Sequence, residues 1–303
     1  MNFPSIIPLL LALTLAPLLL GIINRTKALF AGRRGQPFLQ TYFDLWKLLH
    51  KGEVYSRTTT WLFRAGPMLG LAAVLMAAAL VPLGNFPALI AFPADFFLFA
   101  CLLGLMRFFT VLAALDTGSS FEGMGASREV FFSALAEPAL LVALATLARQ
   151  AGNLSLSAIF TQVSGAHWFA AGPVMALVLI ALMIVLLAEN SRIPVDDPNT
   201  HLELTMIHEV MVLDHGGPDF AFILYGAALK LWVLSALVVG MIVPDTGAIG
   251  LNLVLSVGGM FLLAVIVGMV ESTMARLRLL IVPQLLVGAG ALAAMAFLLG
   301  LNK

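Results

Sequence analysis

Long apolar runs, broken by shorter polar intervals, set the pattern of this 303-residue chain. A helix needs roughly 20 mostly apolar residues to cross a bilayer, because backbone N–H and C=O groups cannot stay unpaired in lipid. Eight runs meet that length, near residues 3–23, 65–84, 96–115, 130–149, 168–188, 220–243, 250–270 and 281–300. The pattern predicts an all-α, polytopic membrane protein with about eight transmembrane helices, forming a single transmembrane helical domain over 1–303. The first run, at the N-terminus, resembles a signal peptide in position. However, "MNFPSII" supplies no basic residue ahead of it, and Arg25 and Lys27 follow it, so it is expected to stay as a helix.

Charge gives the runs a direction. The intervals at about 24–64, 116–129, 189–219 and 271–280 carry twelve basic residues: Arg25, Lys27, Arg33, Arg34, Lys47, Lys51, Arg57, Arg64, Arg128, Arg192, Arg276 and Arg278. The other face has two, Arg149 and Lys303. Basic loops stay on the cytoplasmic side. These four intervals are therefore predicted to be cytoplasmic, with both the N- and C-termini outside the cytoplasm.

Composition agrees and narrows the chemistry. With 61% hydrophobic and 11% charged residues, and a mean hydropathy of +1.03, a water-soluble globule is excluded. Basic and acidic residues balance at 16 each, which leaves no electrostatic footprint for nucleic acid. Cys101 is the single cysteine, and it lies in an apolar run. An iron–sulfur cluster or a structural zinc site would need several thiolates, so no redox centre, metal or cofactor is expected in this chain.

The polar intervals are more elaborate than connections require. In the first, Phe38, Leu39, Tyr42, Leu45, Trp46 and Leu49 recur at helical spacing, which predicts an amphipathic helix lying at the membrane surface or docking a soluble partner. The second, "DTGSSFEGMGASREV", reads as a glycine-rich turn beside Asp116, Glu122, Arg128 and Glu129. The third is the most polar stretch of the chain, "AENSRIPVDDPNTHLELTMIHEVMVLDH", with Glu189, Arg192, Asp196, Asp197, Glu203, Glu209 and Asp214. There Asp197 followed by Pro198 resembles a capped helix start, predicting a short helix over about 198–213. On its wheel, Glu203 falls among Leu202, Met206, Ile207 and Val210. His201 and His208 lie seven positions apart, roughly 10 Å along a helix, too far to share one ion.

Three ionisable residues fall inside the runs: Arg107, Glu137 and Lys230. Each costs at least about 2.5–3.5 kcal/mol at the midplane unless paired or hydrated. Pro138 follows Glu137 and frees a backbone carbonyl beside it, which favours a hydrated pocket. Two readings remain: a structural pair of Glu137 with Arg107 or Lys230, or a proton relay. Six acids around Arg192 suit coupled titration rather than anchoring, for which basic residues are the usual choice.

These residues resemble a known family. Glu189, Arg192, Pro194, Asp196, Pro198 and Glu203 are similar to the cytoplasmic loop of membrane subunit 1 of proton-pumping NADH dehydrogenases. "GRRGQPFLQTYFDLWKLLHKGEV" resembles that family's loop after its first span, and "GASREVFFSALAEPALL" its entry to the fourth. Asn199 and His201 stand where the quinone-reducing subunit has glutamates. The stretch from Asn190 to Trp232 instead looks closest to the related membrane subunit of group 4 [NiFe] hydrogenases, of the hydrogenase-4 component C and formate hydrogenlyase subunit 4 type.

The resemblance implies a non-catalytic membrane subunit that anchors a soluble hydrogenase arm and couples its electron transfer to H⁺ or Na⁺ translocation. The arm comprises a small iron–sulfur subunit and a large [NiFe] subunit, and antiporter-like membrane subunits lie alongside. The expected setting is a bacterial or archaeal cell (inner) membrane. Glu137, Glu189, Asp196, Glu203, Arg107 and Lys230 become proton-relay candidates, and Arg33, Arg34, Asp44, Lys47, Arg128, Arg192 and Asp197 become docking candidates. One alternative is the equivalent subunit of a quinone-reducing NADH or ferredoxin dehydrogenase. Another is a stand-alone ion transporter, for which paired half-repeats would be expected.

Overall fold

A computed structural model describes residues 3–162, 165–196 and 206–301. Its α-helices follow in order: α1 (Ile6–Phe30), α2 (Gln40–Leu49), α3 (Trp61–Leu80), α4 (Asp95–Asp116), α5 (Ser120–Ala151), α6 (Leu156–Gln162), α7 (Gly165–Glu189), α8 (Gly217–Ile242), α9 (Ile249–Thr273) and α10 (Val282–Leu301). Eight of them, all but α2 and α6, are long and apolar enough to cross a membrane, so the chain is a multi-pass membrane protein. Among the described residues, the only β-type pairing is one bridge between Leu83 and Phe86.

The spanning helices sort into two groups. In the larger, α3 packs on α4 and α8, and α1 packs on α8 and α9. In the smaller, α10 packs on both α5 and α7. The groups meet along a seam where α4 lies on α5 and α7 on α8. Small residues allow the close approach: Ala16, Ala77, Ala143 and Ala293 are fully buried beside Phe99, Leu144 and Met175. In lipid such packing replaces the water-driven burial available to soluble bundles.

Two glycines seat polar segments against spanning helices. A Cβ on Gly21 of α1 would meet the carbonyl oxygen of Phe38 at 2.1 Å, so the chain entering α2 can press directly on α1. A Cβ on Gly125 of α5 would collide with the Val210 side chain and lie 2.9 Å from the carbonyl oxygen of Ile207. That contact fixes the loop after α7. The apolar residues Phe43, Trp46 and Leu49 of α2 remain exposed, as in a helix that rests at an interface.

Three departures from the sequence pattern stand out. The interval read as a glycine turn at 116–129 is mostly helix, because α5 begins at Ser120 and buries Glu122, Gly125 and Ala126 in its first turns. The short α6 was not predicted. The helix expected over 198–213 is replaced, where described, by a single 3₁₀ turn at Glu209–Val212. The Asp196 carboxylate accepts the amides of Ile207 at 3.2 Å and His208 at 3.4 Å, which ties the backbone just ahead of that turn to the loop that follows α7. Asp197, Asn199, His201 and Glu203 lie outside the described residues.

Candidate functional site

The seam carries the buried charges. Arg107 projects from α4, and its guanidinium reaches three carboxylates: Glu137 and Glu189 through Nη1 and Nη2, and Glu129 at 3.2 Å from Nε. Lys230 of α8 approaches the same Glu189 oxygen at 2.8 Å. The larger helix group therefore supplies both cations, from α4 and α8, and the smaller supplies all three acids, from α5 and α7. Side chains of Arg107, Lys230 and Glu189 are only 7%, 7% and 4% exposed, so each charge depends on its partners for solvation. Glu137 differs. Its side chain is 41% exposed, giving the cluster one opening on the outer surface of the bundle.

The sequence left Glu137 to pair with either Arg107 or Lys230. The structure pairs it with Arg107, and Lys230 turns to Glu189 because α8 borders α7. Glu129 was recognised only as a loop acid. It joins the cluster because α5 starts earlier than the pattern suggested, placing it two turns from Glu137 on one continuous helix.

A second charge group lies toward the basic end. The Glu271 carboxylate near the end of α9 is sealed from solvent between Lys27 of α1 at 2.8 Å and Arg192 at 3.2 Å. Asp196 pairs with Arg276 at 2.8 Å. Arg128 donates to the carbonyl of Met206 at 2.9 Å. Arg192 and Arg128, expected to be docking residues, thus hold the loop to the bundle. Arg33, Arg34 and Lys47 are exposed, and Asp44 accepts from Gln40 at 2.9 Å on α2. Glu271 was missed because it lies one position past the seventh predicted run. An acid ending an apolar run just before Arg276 and Arg278 was the available signal.

Between the two groups lies a cavity of about 40 Å³, lined by Glu189, Asn190, Arg192, His208 and Lys230 together with Leu20 and Met106. It joins the membrane cluster to the loop. Farther out, Tyr55 donates to Glu53 and to Asp219 at 3.0 Å, while Arg64 lies over its ring at 4.4 Å. The His215 ring stacks on Phe63 at 3.9 Å. Burial pushes the His215 imidazole down to about 4, partly offset by the nearby Glu53 charge. Cys101 is exposed on α4, and the described residues contain no group of three or more His, Cys, Asp or Glu side chains placed to hold a metal.

Comparison with known proteins places this arrangement. The family model "NADH dehydrogenase" matches residues 4–300. Formate hydrogenlyase subunit 4 of Escherichia coli K12 is 31% identical, covering 96% of each chain. Hydrogenase-4 component C of the same organism is also 31% identical, covering 96% of this chain and 93% of the relative. A chain of the archaeal membrane-bound sulfane sulfur reductase, a respiratory membrane complex, shares the fold at a TM-score of 0.78 and 19% identity, with 98% of both chains covered. A match from end to end, with eight spans and a charge cluster at their seam, means that the chain belongs to the NADH dehydrogenase family of membrane subunits.

Proposed function

We propose that this chain is the non-catalytic integral membrane subunit of a membrane-bound [NiFe] hydrogenase complex. In this reading its basic face is cytoplasmic and holds the soluble arm, and the seam couples electron transfer in that arm to H⁺ or Na⁺ translocation in a bacterial or archaeal cell (inner) membrane. The [NiFe] centre and iron–sulfur clusters belong to the small and large partner subunits, and antiporter-like subunits flank the bundle. The two Escherichia coli relatives, matched over 96% and 93% of their length, support the setting.

The observation that carries the coupling is the Arg107 cluster. Five ionisable side chains share one buried site, so a charge change on one alters the proton affinity of the rest. A polar cavity opens the cluster toward the basic loops, and Glu137 opens it toward the outer surface of α5, where a neighbouring membrane subunit would receive the proton.

The test is Glu189→Gln in the assembled complex. It keeps the shape and one hydrogen-bonding oxygen but removes the titration. The complex should accumulate and still evolve hydrogen from an artificial donor, while ion movement per electron in inverted vesicles falls at least about tenfold. Full pumping by an assembled Glu189→Gln complex would remove the basis for this reading.

A further inference from the structure

Four polar atoms at the basic end are buried without a hydrogen-bond partner: Nδ1 of His208, Nδ1 of His215, Oδ1 of Asn190 and Nε of Arg192. An unpaired buried polar atom costs about 1–3 kcal/mol, so several in one place point to ordered water. The atoms are not scattered. Asn190, Arg192 and His208 line the 40 Å³ cavity that also borders Glu189 and Lys230. His215 lines a second cavity of about 20 Å³, with Gly66, Thr110 and Phe222. Both volumes exceed the roughly 10–15 Å³ that one water needs, and both walls offer the polar partners that hold it.

Two residues, His208 and Met106, line both cavities. Met106 has no proton to pass. We propose that His208 is the proton-passing group between these two water-bearing cavities, connecting the His215 side of the protein with Glu189 and Lys230. The proposal rests on the coupling function above and assigns the group through which the proton enters. One imidazole nitrogen accepts a proton from water in one cavity, and the other releases its proton to water in the second. A flip of the ring then turns the newly protonated nitrogen toward the releasing side and resets the relay, so one proton crosses per cycle, no charge stays on the ring and no electron moves.

The surroundings suit a neutral carrier. Burial lowers the His208 pKa; Glu129 and Asp196 pull it up, and Lys230 and Arg107 push it down. Three of these four charges, Glu129, Lys230 and Arg107, belong to the cluster, so the charge state of the cluster is felt at His208. Position is fixed independently of the ring. The His208 amide donates to Asp196 at 3.4 Å, Asp196 pairs with Arg276, and neighbouring Ile207 and Val210 press against Gly125.

The experiment uses the whole complex in inverted membrane vesicles, measuring proton uptake per electron delivered by a viologen donor. His208→Gln should lower that ratio at least about tenfold with the subunit present at its normal level. His208→Gly should be impaired likewise and regain pumping when imidazole is added, a recovery that a purely structural histidine would not show. Wild-type pumping in His208→Gln alongside loss in Glu189→Gln overturns the role of His208 and leaves the cluster's role standing. Wild-type pumping in both overturns the coupling function as well. If His208→Gln fails to accumulate, Met106→Phe, which fills both cavities, decides: reduced pumping supports the path and normal pumping overturns it. No gain from imidazole in a stably inserted His208→Gly chain overturns it too.

Discussion

Asp95 at one end of the bundle and Glu189, Glu271 and Asp196 toward the other are satisfied in opposite ways. At the end where α3 joins α4, Asp95 is fully buried and satisfied by neutral donors: the Ser155 hydroxyl at 2.8 Å and the Leu156 amide at 2.6 Å. Asp245, exposed in the loop between α8 and α9, likewise accepts from the Gly247 amide at 2.9 Å and the Asn252 side chain at 2.6 Å, which together hold its carboxyl below the usual range. These acids staple corners to helices. At the basic end and along the seam, Glu189, Glu271 and Asp196 instead face Lys230, Arg192, Lys27 and Arg276, brought from distant segments. Neutral donors fix an acid in one state. Cations shared among several acids couple their titrations, and this couples distant parts of the fold.

The sharpest break of that contrast is Arg107→Ala. It leaves three acids on the seam with Lys230 alone, and losing one partner of a buried pair costs roughly 3–5 kcal/mol. The subunit should disappear from membranes, as a quantitative immunoblot would show; normal levels would mean that water, not Arg107, solvates the acids.

Acidification comes next. His215 has a folded-state pKa near 4 against 6.5 when free, so the unfolded chain binds its proton more readily. Its contribution is fully present above about pH 6.5 and is lost as pH falls toward 4, by at most about 3 kcal/mol. Thermal melting of the purified complex in detergent should therefore drop across that window, and His215→Phe should flatten the drop. An unchanged pH slope in His215→Phe would assign the acid sensitivity to other groups.

The smallest expected effect is at the opposite end. Asp95→Asn keeps size but turns one oxygen into a donor facing Ser155 or the Leu156 amide, a loss of about 1–2 kcal/mol in stability. Pumping per electron should be unchanged, and a fall in that ratio would show that the two ends are not functionally distinct.

Much of this was readable from residue order. Eight apolar runs of bilayer length became eight spanning helices, and the expense of ionised groups in lipid singled out Arg107, Glu137 and Lys230. Partner choice was not readable. Lys230 meets Glu189 only because α7 borders α8, and sequence carries no direct mark of helix adjacency. Local composition also misled. Gly118, Gly123 and Gly125 read as a turn, yet α5 runs through Gly123 and Gly125, and the bare Cα of Gly125 leaves room for Val210. Asp196 likewise accepts the amides of Ile207 and His208, ahead of the 3₁₀ turn that stands at Glu209–Val212 where a helix was predicted, an interaction between segments that residue order does not mark.

The seam's uneven membership sets its capacity. With three carboxylates facing one guanidinium and one ammonium, the fully ionised cluster carries a single excess negative charge. One added proton brings it to neutrality. A second would strand a positive charge in a site with no anion left to balance it, where the desolvation penalty is several kcal/mol. In the proposed coupling the cluster is therefore a one-place register: it is either empty or holds one proton, and a complex that moves several ions per turnover would fill and discharge it repeatedly or use other sites in series.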